Sequence, residues 1–256
     1  MNLTKLKELK GAVNHCLLSY VDNFVDSSIQ HDSKENDDWI WTFDDDLHTL
    51  DFSIRGTDDL KDILKDISIY PRKIKGVGYA CAGFLEGAEK ILDYALPQFL
   101  NASQNGFKIT LSGHSYGGAI AQIMQQILRV EHGIKTDCIS FGSPRVWFPF
   151  AKVKGRHLRV QIETDPITYL PFITGHLFRI YKHKQSENIE LHKDGWFMKA
   201  EDHYLTTYKS IIEALYAKQH QQFGSFQATH RNEDNARTVL SKRTVHGLFT
   251  RGYNKT

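Results

Sequence analysis

The sequence predicts an α/β fold in which a mostly parallel central sheet is flanked by helices. In the middle of the chain, apolar segments of strand length alternate with segments of helix length, which favours parallel pairing. A glycine-rich turn joins one of these strands directly to a helix. The chain has 256 residues, 41% of them hydrophobic and 24% charged, so it can bury one core without disulfide staples.

The first elements follow from hydrophobic spacing. Apolar residues three and four apart predict a helix over about residues 3–26. Two strands are expected at 38–43 and 47–55, on either side of the polar turn 44–46. The second strand alternates apolar residues toward one face, as a half-buried strand does.

A short amphipathic helix is expected over residues 57–67. Its apolar side carries Leu60, Ile63, Leu64 and Ile67, and charged residues occupy the other side. The helix either packs permanently on the core or covers a binding site as a movable lid, and the sequence leaves both interpretations open.

The region that follows is broken by turn-forming residues. Pro71, Gly76 and Gly78 are expected to interrupt regular structure, and a helix over 84–96 is expected to end at Pro97. The later elements are a strand at 107–111, a helix at 118–130, strands at 137–141 and 158–162, a hairpin of 176–181 with 188–192, and a closing helix at 204–217.

The charge pattern suggests one folded domain with a different C-terminal end. Lys and Arg number 32 against 30 Asp and Glu, which does not indicate a dedicated nucleic-acid-binding protein. Residues 218–256 hold seven basic and two acidic residues and few apolar ones. We therefore predict a domain over 1–217, including the N-terminal helix, and a basic, polar and flexible extension over 218–256.

Cysteine content and the N-terminal residues suggest where the protein works. Cys16, Cys81 and Cys138 are an odd and scattered set, which argues against a disulfide framework. The N-terminal segment does not have the pattern of a signal peptide, and no segment approaches the roughly 20 apolar residues of a membrane span. We expect a protein of the cytoplasm, or one exported without a signal peptide.

The strongest chemical signal is Gly113–Gly117, which reads Gly-His-Ser-Tyr-Gly between a predicted strand and a predicted helix. Such a turn strains the backbone and lifts a serine hydroxyl out of the sheet, and its small residues avoid clashes. The positive end of the helix dipole favours negative charge there. Ser115 is therefore the candidate nucleophile, and the alternative is a serine that only caps the helix.

A serine nucleophile needs a base and an acid that orients the base. Asp165 directly follows the strand 158–162, where a loop would present a carboxylate at the carboxyl edge of the sheet, although it could also form an ordinary Asx-Pro turn. Asp194 and Asp202 are rival acids, and neither follows a central strand.

Four histidines follow Asp165 in the chain, namely His176, His183, His192 and His203. We prefer His203, because it lies at a loop-to-helix junction that can reach over the sheet edge. No spacing resembles a zinc site. The backbone N–H of Tyr116 is a candidate oxyanion donor, and Thr57, at the end of an early strand, is a second one that can also cap the following helix.

Five segments, in order along the chain, resemble the class 3 lipases, which are α/β-hydrolases. Arg55–Thr57 resembles the family's R-G-[ST] oxyanion motif, and Gly113–Gly118 resembles its G-H-S-x-G-G elbow. Phe141–Arg145 resembles F-G-x-P-R, Asp165–Pro171 resembles the D-P-V-x-x-L-P acid loop, and His203–Tyr204 resembles the closing histidine segment. The resemblance covers roughly residues 38–216.

The resemblance implies a serine hydrolase with Ser115, His203 and Asp165 as its triad and Thr57 and Tyr116 as its oxyanion hole. It implies lipid esters as substrates, either acylglycerols or phospholipids, with no metal or organic cofactor. Cys81 stands where the family often has a histidine two residues before a Gly-Phe pair, a supporting position outside the triad. A binding protein that keeps the fold without turnover is the alternative.

Two partner expectations complete the prediction. The basic extension either draws the protein transiently to an anionic membrane surface or is merely a solvated end. We expect no nucleic-acid partner, because the basic residues there are not interleaved with aromatic residues on a folded platform. The sequence does not indicate an oligomeric state.

Overall fold

The computed structural model of the chain describes residues 1–21, 29–34, 37–57, 68–170, 187–193 and 198–222. The strands are β1 (Ile29–Lys34), β2 (Asp37–Asp44), β3 (Thr49–Ile54), β4 (Pro71–Ile74), β5 (Gly78–Cys81), β6 (Lys108–His114), β7 (Thr136–Phe141), β8 (His157–Ile162) and β9 (Glu187–Leu191). The helices are α1 (Leu3–Leu18), α2 (Ala82–Gln104), α3 (Tyr116–His132) and α4, over residues 205–222.

The main sheet has seven strands in the order β1-β2-β3-β6-β7-β8-β9. The first two pairings are antiparallel and those from β3 to β9 are parallel. One apolar core lies between the sheet and the helices α2 and α3, and a second lies between the sheet and the helices α1 and α4. The predicted fold, a mostly parallel sheet flanked by helices, is confirmed.

The β4–β5 hairpin was not predicted, because the sequence analysis treated its proline and glycines as breaks. The two strands pair antiparallel outside the main sheet. Gly76 makes the turn with φ at +79°, a conformation that glycine adopts without strain. Pro71 opens β4, a strand position that tolerates a missing N–H.

The prediction that Pro97 ends a helix is wrong, because α2 continues through it to Gln104. A proline removes one helical hydrogen bond and costs about 3 kcal/mol in a helix interior. Phe99 and Ala102, beyond the proline, are buried on the side that faces the core. Their burial offsets that cost, so packing overrides the local preference.

Several boundaries differ from the sequence-based ones. Helix α1 ends at Leu18, earlier than residue 26, and Ser19 closes it with a hydrogen bond to the Leu17 carbonyl. Strand β9 forms where 188–192 was predicted, but it pairs in parallel with β8. Its predicted hairpin partner, 176–181, lies outside the described residues.

Other predictions also fall where the structure gives no description. The candidate lid residues Leu60, Ile63, Leu64 and Ile67 lie outside the described residues. So does the extension from residue 223 onward, whereas residues 218–222 continue α4. The three cysteines are free and buried. None of the helices in the described part of the chain is long and apolar enough to cross a membrane.

Candidate active site

The sharp turn predicted at Gly113–Gly117 is present between β6 and α3. Ser115 has φ at +55°, a backbone region that non-glycine residues rarely adopt and that active-site residues often store as strain. A Cβ at Gly113 would collide with the Gly117 backbone, and one at Gly117 would collide with the Ile54 carbonyl. Only glycines therefore allow the chain to turn this tightly.

Ser115 is fully buried. Ser115 occupies the N-cap position of α3, yet its side chain makes no capping hydrogen bond. Within the described residues its Oγ has no hydrogen-bond partner. Because a buried polar atom without a partner costs free energy, such an atom is typical of a group reserved for a ligand or for chemistry.

Asp165 and His203 meet directly at the carboxyl end of β8. His203 Nδ1 lies 3.0 Å from Asp165 Oδ1 and 2.9 Å from Oδ2, so its N–H donates to the carboxylate, and both side chains are buried. The carboxylate also accepts the Ile167 N–H at 2.9 Å and the Tyr208 hydroxyl at 2.6 Å. With three donors on it, Asp165 is held in one orientation.

Tyr208, on α4, is a residue that sequence reasoning missed. Its hydroxyl donates to Asp165 and accepts the Ile162 N–H at 3.2 Å, so it ties α4 to both β8 and the acid. Burial, with the negative charge of Asp165 beside it, raises the pKa of Tyr208 well above its ordinary value. The hydroxyl therefore stays protonated and remains a donor. Tyr208 is spaced like the apolar residues of its helix, so the local sequence gives no sign of this contact.

The hydrogen bond to Asp165 determines which ring nitrogen of His203 is free. Because Nδ1 carries the proton donated to the carboxylate, Nε2 is left as an acceptor in the neutral ring. Nε2 is buried and has no hydrogen-bond partner among the residues described. Ser115 Oγ and His203 Nε2 are thus two unsatisfied groups in one region.

Gly142 lies between the Ser115 backbone and the Asp165–His203 pair. The neighbouring carbonyl of Phe141 accepts the Ser115 N–H at 2.9 Å. A Cβ at Gly142 would lie 2.9 Å from Asp165 Oδ2 and 3.1 Å from His203 Cε1, and its φ is +57°. A glycine is required here for both reasons, and the predicted nucleophile, base and acid all lie around it.

His114, the residue before the serine, forms a second network that the sequence did not reveal. Its ring lies 4.6 Å from that of His203, centroid to centroid. Its Nε2 bonds the backbone carbonyl of His203 at 2.7 Å, and its Nδ1 bonds the Tyr20 hydroxyl at 2.9 Å. That hydroxyl also accepts the Gly56 N–H at 3.0 Å.

These contacts define the protonation of His114. The carbonyl can only accept, so Nε2–H donates to it, and Tyr20 then donates to Nδ1. Burial, followed by the neighbouring His203, lowers the pKa of His114 well below its ordinary value. The ring is therefore neutral, and it does not oppose a positive charge on His203. Through Tyr20, α1 connects to both Gly56 and His114.

The two candidate oxyanion donors lie at this same edge. Tyr116 opens α3 directly after Ser115, and Thr57 follows β3 beside Gly56. A cavity of about 360 Å³ opens here, within the size range of small-molecule sites. Its lining residues are Leu17, Tyr20, Thr57, His114, His203, Tyr204, Leu205 and Thr206.

The rival acid and the rival histidines have other partners or are not described. Asp202 accepts from the Thr164 hydroxyl and pairs with Lys193, and these contacts lower the pKa of Asp202. The Thr164–Asp202 hydrogen bond joins the residue before Asp165 to the residue before His203. His192 contacts Glu163 at the surface. Asp194, His176 and His183 lie outside the described residues.

Comparisons with known proteins give matches to lipases. Residues 52–175 match the family described as Lipase (class 3). Over 96 residues the chain is 33% identical to the secreted mono- and diacylglycerol lipase 1 of Fusarium solani, a match that covers 35% of this chain and 28% of that protein. The match thus spans little more than a quarter of the relative's length.

Solved structures share the fold. Lipase II from Rhizopus niveus superposes with a TM-score of 0.60 at 20% identity, covering 73% of this chain and 81% of that one. The lipase from Rhizopus microsporus var. chinensis gives 0.58 at 20% identity, with 72% and 74% covered. A triacylglycerol lipase described as having a serine protease triad gives 0.65 at 17% identity, with 78% and 93% covered. At these identities the similarity concerns the fold.

Proposed function

We propose, from the premise that this chain belongs to the class 3 lipase family, that it hydrolyses carboxylic esters of lipids through a Ser115–His203–Asp165 triad. The observation that carries the proposal is that two buried atoms, Ser115 Oγ and His203 Nε2, have no hydrogen-bond partner among the described residues, beside an Asp165 carboxylate that accepts three hydrogen bonds. A nucleophile and a base without other partners are free to act on a substrate.

The reaction begins when Ser115 Oγ attacks the ester carbonyl and His203 Nε2 takes the serine proton. Asp165 stabilises the imidazolium through the Nδ1–H contact. The alcohol leaves with that proton, and the acyl group stays on Ser115. Water then attacks the acyl-enzyme and loses a proton to His203, which passes that proton to Ser115 Oγ as the carboxylic acid is released.

The negative oxygen of each tetrahedral intermediate needs donors that are already in place. We assign this role to the backbone N–H of Tyr116 and to Thr57. The strained turn at Ser115 and the start of α3 support the first assignment, because the helix N-terminus favours negative charge. The position of Thr57 in the cavity wall with His203 supports the second.

Acylglycerols are the first substrates to test, because the name of the Fusarium solani relative describes it as acting on mono- and diacylglycerols. Phospholipids are the second. The assignment of residues 58–67 as a lid, and of the basic extension as a transient membrane contact, stays a prediction. So does the location, in the cytoplasm or outside the cell.

The test is hydrolysis of a short-chain ester, a diacylglycerol, a triacylglycerol and a phospholipid by the purified protein, with Ser115→Ala in parallel. We expect kcat to fall by about 10⁴-fold or more on every substrate that the protein cleaves. Ser103→Ala, an exposed serine near the end of α2, is the matched control and should change nothing.

Each outcome discriminates between the candidate functions. Equal activity in the wild type and in Ser115→Ala would overturn the serine mechanism. No activity in either protein, with both folded by circular dichroism, would favour the alternative of a binding protein that keeps the hydrolase fold.

A further inference from the structure

A surface formed by the β4–β5 hairpin and the segment 147–152 has an unusual composition. The segment runs beside β5, because the Phe148 N–H donates to the Tyr79 carbonyl at 2.9 Å and the Lys152 N–H to the Val77 carbonyl at 2.7 Å. Its inner side packs into the core with α2 and α3. We call the outer side, together with Tyr70 and Lys154 at its ends, the hairpin face.

The residues of the hairpin face carry positive charge only, and one carboxylate touches its edge, because Glu86 on α2 accepts the Tyr70 hydroxyl at 3.4 Å. Neither 68–85 nor 138–162 contains a single Asp or Glu. Its exposed cations are Lys73, Lys75, Lys152 and Lys154. Two arginines of the same segments form ion pairs, Arg72 with Glu89 and Arg156 with Glu8. None of the four lysines makes an ion pair with any carboxylate in the described parts of the chain, so their charge faces solvent.

Exposed aromatic rings lie among these lysines. Phe150 is 90% exposed, Tyr70 is 56% exposed and Tyr79 is 46% exposed. Tyr79 is directly opposite Lys73 in the hairpin register. A phenylalanine that remains almost wholly in water adds nothing to the core, and exposed apolar groups among polar ones often mark an interaction surface.

One end of the hairpin face reaches the edge of the sheet where Ser115 lies. The Tyr70 carbonyl accepts the Ala82 N–H at 3.0 Å, at the start of α2. Two residues further, the Phe84 ring lies 5.9 Å from that of Tyr116, which follows Ser115. A flat partner on the hairpin face would therefore come close to the active-site edge.

We propose that the hairpin face docks on the surface of an anionic lipid bilayer. The proposal rests on the proposed function, which makes a lipid surface the place where substrate is found. Lysines near an anionic leaflet gain attraction from its negative surface potential. Aromatic rings such as Phe150 and Tyr79 favour the headgroup level, where one part of the ring is apolar and another is wet.

The test measures co-sedimentation with vesicles of phosphatidylcholine alone and of phosphatidylcholine mixed with phosphatidylserine. Ser115→Ala serves as the background, so that no lipid is consumed during the measurement. We expect binding to the mixed vesicles, weaker binding at high salt, and little binding to phosphatidylcholine alone.

Two variants test the face itself in that background. Lys73→Glu with Lys152→Glu should lower partitioning into the mixed vesicles by about tenfold or more. Phe150→Ser should lower it several-fold at unchanged charge. The charge control is Lys7→Glu with Lys10→Glu on α1, on the opposite side of the sheet. The apolar control is Leu47→Ser, because Leu47 is 72% exposed in the β2–β3 turn.

Equal losses in the face variants and the controls would overturn the proposal. So would binding to DNA or heparin without binding to vesicles, which would make the face a site for another polyanion. Turnover of a soluble short-chain ester, measured with the face substitutions in the Ser115-containing protein, should be unchanged. Vesicle binding by a protein that hydrolyses no ester would support the face and count against the proposed function.

Discussion

The two sides of the central strands β3 and β6 carry different chemistry. Toward α2 and α3 these strands direct Leu50, Phe52, Ile54, Ile109 and Leu111 into the larger apolar core. Toward α1 they direct Ser53, Ser112 and His114, which meet His15, Cys16 and Tyr20. Side chains alternate along a strand, so one segment builds both surfaces. The apolar side supplies stability, and the polar side leads to Ser115.

Part of the polar side is a connected set of hydrogen bonds under α1. The His15 ring bonds Ser53 Oγ at 2.8 Å and Thr42 Oγ1 at 2.6 Å, and Ser53 bonds Ser112. Burial lowers the pKa of His15 to about 4. A buried polar network is stable only while every member keeps its partner, so this side should respond to pH and to single-atom changes.

The largest effect is expected at Asp165, the acid of the proposed triad. Asp165→Asn should lower kcat by about 10⁴-fold, because an amide neither stabilises the imidazolium nor selects the same His203 tautomer. Ester hydrolysis by a correctly folded variant is the measurement. Glu163→Gln, at a half-exposed neighbouring carboxylate, is the control and should keep full activity. A drop of less than tenfold in Asp165→Asn would remove Asp165 from the proposed triad.

Substitutions on the apolar side, toward α2 and α3, should lower the free energy of unfolding and leave kcat unchanged. Phe52 is fully buried, and its ring centroid lies 5.0 Å from those of Trp41 and Phe99. Phe52→Ala should lower the free energy of unfolding by about 3–5 kcal/mol through lost burial and a cavity. Urea denaturation measures this. The folded fraction should keep its kcat, and a large loss of kcat would contradict the division between the two sides.

An intermediate effect is expected from pH. The folded state holds His15 neutral down to a pKa of about 4, whereas the unfolded value is 6.5. Between these values the unfolded state binds more protons, so stability is lost as pH falls from 6.5 to 4, by about 3 kcal/mol in all. Urea denaturation across this range should show a weaker pH dependence in His15→Gln. An identical pH dependence would show that His15 is not the group responsible.

The smallest effect is expected at Tyr20, where α1 meets the site. Tyr20→Phe removes the donor to His114 and the acceptor for the Gly56 N–H. Each lost hydrogen bond should cost about 1 kcal/mol of unfolding free energy. We also expect a modest fall in kcat with KM little changed, because His114 then loses its defined tautomer. Tyr94→Phe, at a half-exposed tyrosine on α2, is the control. A fall in both variants alike would argue against the Tyr20 contact.

Much of the fold was predictable because its signals are local. The strands β6 to β8, helix α3 and the turn at Ser115 follow from hydrophobic period and from glycines that the turn requires. The errors lie where distant packing decides. Pro97 stays inside α2 because Phe99 and Ala102 are buried beyond it. Strand β9 joins β8 in parallel because an apolar strand pairs with the edge that the completed sheet offers.

The candidate site, too, has features that local sequence patterns predict and contacts that only the packing decides. By itself the sequence determined which residues carry the candidate chemistry, because a nucleophile turn, an acid after a strand and a histidine at a helix start are local patterns. The catalytic roles of Ser115, Asp165 and His203 stay predictions. Only the tertiary structure decided that Asp165 contacts His203, 38 residues away, and that Tyr20 contacts His114, 94 residues away. Contacts at such separations form only when helices and sheet pack together, and no short segment encodes that packing.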